Sequence, residues 1–226
     1  MPDSLVLSTQ IEAAPETIYR FLSTRPLLQK WMGPAAANCA PRESTPGSRA
    51  TFEWTATTPP TAVTISILPG PAVELRHDGL TQAQQDELTP GWQYCLSQLK
   101  TAAINVGYTE ALPGAVDNYI RAWNESDAGT RAELLSNCWE EEAVFQDAMG
   151  SAAGRAALEN YIAHAQQFAP GFQLELAAPP EHCNNHYRFT WIIRKPDGSI
   201  MGRGTNFGQL SPKGRFQSAI GFWDKA

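Results

Sequence analysis

The chain has 226 residues, 42% of them hydrophobic and 10% aromatic, which suits one large domain or two domains of ordinary size. Its formal net charge of −6 and the lack of a lysine and arginine cluster argue against nucleic acid and anionic membranes as partners. The first residues carry no basic segment followed by an apolar one, and no run approaches about 20 apolar residues. We therefore expect a cytoplasmic protein.

The first 104 residues predict short strands and two short helices, followed by one long helix. Alternating apolar residues predict the first strand, and Pro15 with Glu16 favours a helix start soon after it. Residues 33–48 are rich in Pro, Ala and small polar residues and predict a loop. Strands are then expected near 51–55, 63–67 and 73–77, before an amphipathic helix whose apolar face holds Trp92, Cys95, Leu96, Leu99 and Ala103.

Residues 11–19 (IEAAPETIY), Trp31, 51–54, 77–80 (HDGL) and 91–99 resemble the START-like helix-grip superfamily, in its branch of activator homologues of the heat-shock ATPase. Members of that family have further strands where this chain has the predicted loop. The resemblance therefore implies a shortened helix-grip domain over residues 1–104. Two interpretations remain open for it: a stabilising or dimerising module, or a small-ligand pocket that contains His77.

The second half predicts three helices and a curved antiparallel sheet. Residues 105–114 (NVGYTEALPG) predict a linker, because Gly and Pro interrupt the helical pattern and a new pattern begins after them. The first helix after it has an inner face of Val116, Tyr119, Ile120 and Trp123. The remaining helices and strands are expected near 134–139, 143–147, 155–165, 172–176, 186–194, 200–210 and 215–223.

Residues 116–124 (VDNYIRAWN), 143–147, 154–155, 188–191 (RFTW), 196–198 and 214–223 resemble the nuclear-transport-factor-2-like superfamily, in its SnoaL-type polyketide cyclase and ketosteroid isomerase branch. The resemblance covers nearly all of residues 110–226 and implies a cone-shaped fold that pairs into a homodimer through its open sheet face. The sequence thus predicts an α+β protein of two domains. These are a reduced helix-grip domain (1–104) and a cone-shaped SnoaL-like domain of a curved antiparallel sheet on three helices (115–226), joined by a linker (105–114).

The resemblance also implies three catalytic residues. In the isomerase members, a carboxylate moves a proton beside a carbonyl, while a tyrosine and a protonated carboxylic acid hydrogen-bond the enolate oxygen. Asp147 falls at the position of the base, Asn206 at that of the acid donor, and Tyr119 is the nearest candidate for the phenol. An amide N–H can donate to a developing oxyanion, which makes Asn206 compatible with the donor role.

Large apolar side chains near these three residues are expected to wall a pocket and hold a ligand by apolar contact. The expected ligand-binding set is Trp123, Phe145, Trp191, Phe207 and Phe222, with Arg188 reaching an anionic substrate unless it turns to solvent. The resulting hypothesis is an isomerase- or cyclase-type enzyme acting on a small hydrophobic carbonyl compound, in secondary metabolism. Its chemistry requires no cofactor, and the expected partner is the small hydrophobic ligand.

Three alternatives stay open at this stage. Asp147 could accept backbone N–H groups from the turn at 148–153 and have a structural role only. The chain could then be a non-catalytic protein that binds a hydrophobic ligand or supports an assembly, and the first half's relatives suggest a chaperone cofactor.

His182, Cys183 and His186 have roughly the spacing of metal ligands, but they lead into a strand where neighbours alternate faces, so no metal site is predicted.

Overall fold

The computed structural model describes residues 3–70 and 72–224, and its contacts divide the chain into two compact units, Met1–Gly107 and Tyr108–Ala226. One helix, α3, contains the boundary: it belongs to the first unit up to Gly107 and to the second from Tyr108.

The first unit combines a five-stranded antiparallel sheet with two short helices, a short 3₁₀ helix and the beginning of α3. The bounds are β1 Asp3–Gln10, α1 Pro15–Ser23, α2 Arg25–Met32, the 3₁₀ helix Gly33–Asn38, β2 Cys39–Thr45, β3 Arg49–Trp54, β4 Thr61–Leu68, β5 Ala72–Leu80 and α3 Gln82–Asn124. The strands stand in the order β1-β5-β4-β3-β2, so β1 and β2 are the edges.

The core of this unit is built from alternate residues of the strands and the apolar faces of the helices. Val63 and Ile65 of β4 are fully buried in one cluster with Ile18 and Phe21 of α1. The indole N–H of Trp31 donates to the carbonyl oxygen of Phe21 at 3.0 Å, which ties α2 to α1. Every second residue in the middle of β4 is buried, and the buried residues of α1 lie on one face of the helix. Both observations agree with the apolar patterns seen in the sequence.

The loop predicted over residues 33–48 is wrong, because that segment contains the 3₁₀ helix and the strand β2. Only Cys39 of β2 is buried, and every residue after Ala40 is exposed. An edge strand of this kind shows no apolar alternation and tolerates Pro41, whose missing N–H costs least at an edge. The Pro- and Ala-rich composition therefore gave no sign of β2, because backbone pairing with β3 and not side-chain burial holds this strand in place.

His77 on β5 is fully buried, and both of its ring nitrogens are hydrogen-bonded. Nδ1 accepts from the indole N–H of Trp92 at 3.1 Å, so the proton lies on Nε2, which donates to Oγ1 of Thr61 at 2.7 Å. Burial lowers the pKa of His77 to about 4 and keeps the ring neutral. Both ring nitrogens of His77 thus have protein partners, while the small-ligand pocket around it and the helix-grip resemblance stay predictions.

The second unit is α+β, with three helices and a seven-stranded sheet. After the second part of α3 come α4 Ala128–Cys138, β6 Trp139–Gln146, β7 Ser151–Ala153, α5 Arg155–Phe168, β8 Gln173–Leu176, β9 Glu181–Cys183, β10 His186–Arg194, β11 Ile200–Leu210 and β12 Phe216–Trp223. The strand order is β7-β6-β12-β11-β10-β8, and β9 pairs with β10. The pair β6 and β12 is parallel, so the predicted antiparallel sheet is mixed at that one position.

The predicted linker at 105–114 is helical throughout, as part of α3. Tyr108, Leu112, Ala115 and Val116 are all buried, and their spacing of four, three and one residues places them on one helical face. This apolar stripe outweighs the cost of Gly107, Pro113 and Gly114 in a helix. The non-helical linker is thus wrong, whereas the division into domains 1–104 and 115–226 stays a prediction.

Within residues 3–70 and 72–224, no helix has both the length and the apolar character needed to cross a membrane.

The lowered pKa of His77 predicts an acid-sensitive first unit. The unfolded state takes up a proton near pH 6.5 and the folded state only near pH 4, so the contribution of His77 is complete above pH 6.5 and is lost as the pH falls toward 4. The loss amounts to about 3 kcal/mol of unfolding free energy. Urea unfolding at a series of pH values, with His77→Gln as the control that cannot titrate, measures it. Equal pH dependence in the parent and the variant would contradict the assignment.

Candidate functional site

The second unit encloses a cavity of about 310 Å³. This volume lies at the lower end of the range for sites that take small organic ligands. Its lining is mainly aromatic and aliphatic, with one carboxylate, one carboxamide, two phenols and one imidazole: Asp147, Asn206, Tyr119, Tyr161 and His164. The cavity is thus apolar with a small set of groups that can donate, accept or transfer protons.

The pleat of the sheet decides which side chains reach the cavity. On β10, Tyr187, Phe189, Trp191 and Ile193 are buried while their neighbours are half-buried or exposed. The same alternation buries Phe145 on β6, and Asp147 follows two residues later on the same face. Because all strands of the sheet share this inner face, residues far apart in sequence meet around one space.

Asp147 directly follows β6 and is held by the tight turn that leads into β7. Its Oδ1 accepts hydrogen bonds from the backbone N–H groups of Met149 at 2.8 Å and Gly150 at 3.0 Å. Its own N–H donates to the carbonyl oxygen of Gly150 at 2.9 Å. The structural role considered from the sequence is therefore real: Asp147 does close this turn.

A third donor reaches the same oxygen, because the Tyr161 hydroxyl on α5 lies 2.7 Å from Oδ1 of Asp147. Burial, and then the bond to the Asp147 carboxylate, raise the pKa of Tyr161 above its ordinary value, so the phenol keeps its proton. Among the described residues, no hydrogen bond reaches Oδ2 of Asp147, and that oxygen remains available. Asp147 is thus oriented through one oxygen and open through the other.

Asn206 on β11 forms the second polar centre of the cavity. The indole N–H of Trp191 donates to Oδ1 of Asn206 at 2.9 Å, and Nδ2 of Asn206 donates to the Tyr119 hydroxyl oxygen at 3.2 Å. The Trp191 bond fixes which end of the amide is the donor. Burial raises the pKa of Tyr119 far above its ordinary value, although the Asn206 amide and the Trp123 indole oppose the rise. Tyr119 therefore stays protonated.

Gly221 on β12 brings the two centres to one wall of the cavity. It pairs with Asn206 across the sheet, and a Cβ atom placed on it would lie 3.2 Å from Cβ of Asp147 and 3.3 Å from Oδ1 of Asn206. Since glycine has no Cβ, residue 221 places no side chain between Cβ of Asp147 and the Asn206 amide oxygen.

Six of the nine residues expected from the sequence line this cavity: Tyr119, Trp123, Phe145, Asp147, Trp191 and Asn206. The catalytic roles of three of them, and the ligand contacts of the other three, stay predictions.

Three expected ligand-binding residues lie outside the cavity, and their placement in its wall was wrong. Phe207 and Phe222 directly follow Asn206 and Gly221, and adjacent strand residues point to opposite faces, so both phenyl rings are exposed on the outer face. Arg188 is exposed on that face too, with its Nη2 2.6 Å from Oε2 of Glu181. It therefore offers no charge to a ligand inside.

Sequence reasoning missed the part of the site that α5 contributes. Tyr161, His164, Ala165 and Phe168 all line the cavity, at spacings of three, one and three residues that define one helical face. The sequence pattern does place Tyr161 and Ala165 on the apolar face of the helix predicted over 155–165, but such a face alone does not distinguish a core from a cavity wall. Only the position of Asp147 opposite this face assigns Tyr161 a polar partner.

Two of the three residues with metal-like spacing, His182 and His186, have other contacts. His182 is hydrogen-bonded to Oγ1 of Thr109 at 2.8 Å, and His186 bonds Gln209 and stacks on Phe207. In the part of the chain that the structure describes, no group of three or more His, Cys, Asp or Glu side chains is placed to hold a metal ion.

No protein-family model and no curated protein matches this chain. Among solved structures, a candidate isomerase of the SnoaL-like family from Agrobacterium tumefaciens strain C58 is 30% identical, with a TM-score of 0.49, over 51% of this chain and 99% of that one. An NTF2-like protein of unknown function from Exiguobacterium sp. 255-15 is 17% identical over 50% and 99% of the two chains, with a TM-score of 0.42. A candidate polyketide cyclase from Sinorhizobium meliloti is 18% identical over 49% and 95%, with a TM-score of 0.40.

The bond from Trp191 to Asn206 predicts a specific loss of stability. Trp191→Phe leaves a buried amide oxygen without its donor, which costs about 1–3 kcal/mol of unfolding free energy. Trp223→Phe is the matched control, because Trp223 lines the same cavity and packs edge-on against Trp191 with ring centroids 5.0 Å apart. Denaturant unfolding compares the two variants, and equal losses would show that ring packing, and not the hydrogen bond, is what Trp191 supplies.

Proposed function

We propose that the second unit is an isomerase- or cyclase-type enzyme of the SnoaL-like kind, acting on a small hydrophobic carbonyl compound. The observation that carries the proposal is the wall on which the Asp147 carboxylate and the Asn206–Tyr119 donors flank Gly221 inside an apolar cavity. A base and an oxyanion site on one wall are what proton transfer beside a carbonyl requires.

Asp147 is the proposed base, and Oδ2 is the atom that accepts the proton. The turn N–H groups and the Tyr161 hydroxyl hold Oδ1, so the carboxylate cannot rotate freely. When Oδ2 takes a proton from the carbon beside the carbonyl, the electron pair of that C–H bond becomes the double bond of an enolate. The negative charge moves to the former carbonyl oxygen.

Tyr119 and Asn206 are the proposed donors to that oxygen. The raised pKa of Tyr119 keeps its proton in place, and since its oxygen already accepts from Asn206, its own hydrogen is free to donate to a ligand. Asn206 is neutral at every pH, and its second amide hydrogen extends the same site. Donors of this kind are each worth roughly 3–4 kcal/mol of barrier when they are fixed before the reaction begins.

The proton on Asp147 then completes the reaction. In an isomerase whose ketone carries a β,γ double bond, loss of the α-proton gives a dienolate, Oδ2 returns the proton to the γ-carbon, and the double bond moves to the α,β position. In a cyclase, the enolate carbon attacks a second carbonyl of the same molecule, and the proton goes to the new alkoxide. Both outcomes balance without an external electron donor or acceptor.

Asp147→Asn separates chemistry from structure, because the amide oxygen can still accept from Met149 and Gly150 while the base is lost. We expect the exchange of α-hydrogens of 1-tetralone in deuterium oxide to slow by about 10²- to 10⁴-fold, with the dissociation constant changed less than threefold. NMR follows the exchange and tryptophan fluorescence the binding. Glu142→Gln removes an exposed carboxylate of the same strand and serves as the control with unchanged exchange.

If the Asp147→Asn variant still binds the ketone and still exchanges its α-hydrogens at the parent rate, the catalytic proposal is wrong. The second candidate, a non-catalytic ligand-binding protein, would then account for the site. A specific observation favours that candidate: two of the three hydrogen bonds to Oδ1 of Asp147 come from its own turn, so the carboxylate already has a structural reason to be there.

A further inference from the structure

Four large apolar side chains line the cavity and yet remain exposed. Phe168 is 84% exposed, Met149 74%, Met201 38% and Trp223 37%. We call these four residues the mouth of the cavity. Each lies in the turn after β6 or at the end or beginning of an element: Met149 in the turn, Phe168 last in α5, Met201 near the start of β11, and Trp223 last in β12.

Two of the polar groups of the cavity lie away from water. Tyr119 and Asn206 are almost fully buried, whereas Asp147 and Tyr161 are half-buried, and His164 and the four mouth residues are exposed. The cavity is therefore closed around the Asn206 amide and the Tyr119 phenol and open at the mouth. Single exposed hydrophobic residues need no explanation, but four around one cavity form a patch that a ligand would cover.

The lining of the cavity contains no side chain that is a fixed positive charge. Of the residues that line it, all within the described chain, none is lysine or arginine, Asp147 is the single carboxylate, and His164 the single imidazole. An anionic group held in the mouth would lose water without gaining a lysine or arginine partner. Two of the four mouth residues are methionines, whose flexible thioethers adapt to ligands of different shape.

On the basis of the proposed function, we propose that the substrate is an uncharged ketone with an apolar chain that is longer than the closed part of the cavity. Its carbonyl end reaches the wall of Asp147, Gly221 and Asn206. Its chain leaves across the mouth and covers Met149 and Phe168. Chain length, through contact with the mouth, then determines affinity, while the buried polar wall determines reaction.

Alkyl phenyl ketones from acetophenone to decanophenone test this arrangement. We expect the dissociation constant, measured by quenching of tryptophan fluorescence, to fall by up to about fourfold per added methylene, the factor that corresponds to about 0.8 kcal/mol per buried CH₂. The gain should stop once the chain has crossed the mouth and further methylenes stay in water. An affinity that does not depend on chain length overturns the inference.

Variants of the mouth give the sharper test. Met149→Ala keeps the backbone N–H that holds Asp147, and Phe168→Ala removes an exposed ring, so both should leave the fold intact. Each variant should raise the dissociation constant of octanophenone about tenfold and that of acetophenone less than twofold. The controls Val144→Ala and Phe222→Ala remove exposed apolar groups outside the cavity and should change neither. Mouth variants that weaken both ketones equally, or neither, overturn the inference.

A charged ligand tests the proposal that the substrate is uncharged. The anion 4-oxo-4-phenylbutanoate carries a carboxylate where butyrophenone has a methyl group, and it should bind at least tenfold more weakly than that ketone. Equal binding overturns this part of the inference.

Failure of this inference and failure of the proposed reaction give different results. If the chain-length series and the mouth variants behave as expected but α-hydrogen exchange is absent, the ligand class stands and the enzyme proposal falls. If Asp147-dependent exchange is present and the mouth variants have no selective effect, the proposed reaction is supported and the proposal of a substrate with a long apolar chain is wrong.

Discussion

Three hydrogen bonds to one oxygen of Asp147 are the constraint on which the site depends. The turn supplies two N–H donors and α5 supplies the Tyr161 hydroxyl, so the same atom joins the end of β6 to the helix that follows it. Because Oδ1 is satisfied in this way, the carboxylate can remain half-buried beside aromatic rings without losing its orientation. The structural and the proposed catalytic role are divided between its two oxygens and do not exclude each other.

The pleated sheet explains how the rest of the cavity is arranged around that carboxylate. Asn206 and Gly221 face each other on paired strands, and the parallel pairing of β6 with β12 brings Asp147 alongside them. Glycine at 221 leaves this wall uncrowded, since a Cβ atom there would lie within 3.2 Å of Cβ of Asp147 and 3.3 Å of Oδ1 of Asn206. Trp191 then fixes the orientation of the Asn206 amide by donating to its oxygen.

Much of this could be predicted from the sequence, for identifiable physical reasons. The resemblance placed Asp147, Asn206 and Tyr119 together, and the structure puts all three on the lining of one cavity. Phe207 was misplaced because apolar character was given more weight than strand alternation, which excludes it once Asn206 points inward. Tyr161 could not have been found, since its helical spacing is the same whether a tyrosine packs in a core or bonds a distant carboxylate. The edge strand β2 was missed for the opposite reason: backbone pairing holds it, and its exposed side chains carry no periodic pattern.

A crystal structure of the chain with 1-tetralone bound tests the central claim most directly. The account predicts the carbonyl oxygen within about 3.2 Å of the Tyr119 hydroxyl or the Asn206 amide nitrogen, and the α-carbon beside Oδ2 of Asp147. A ketone seated with its oxygen toward the mouth, or an Asp147 side chain with both oxygens turned into the loop, would contradict it.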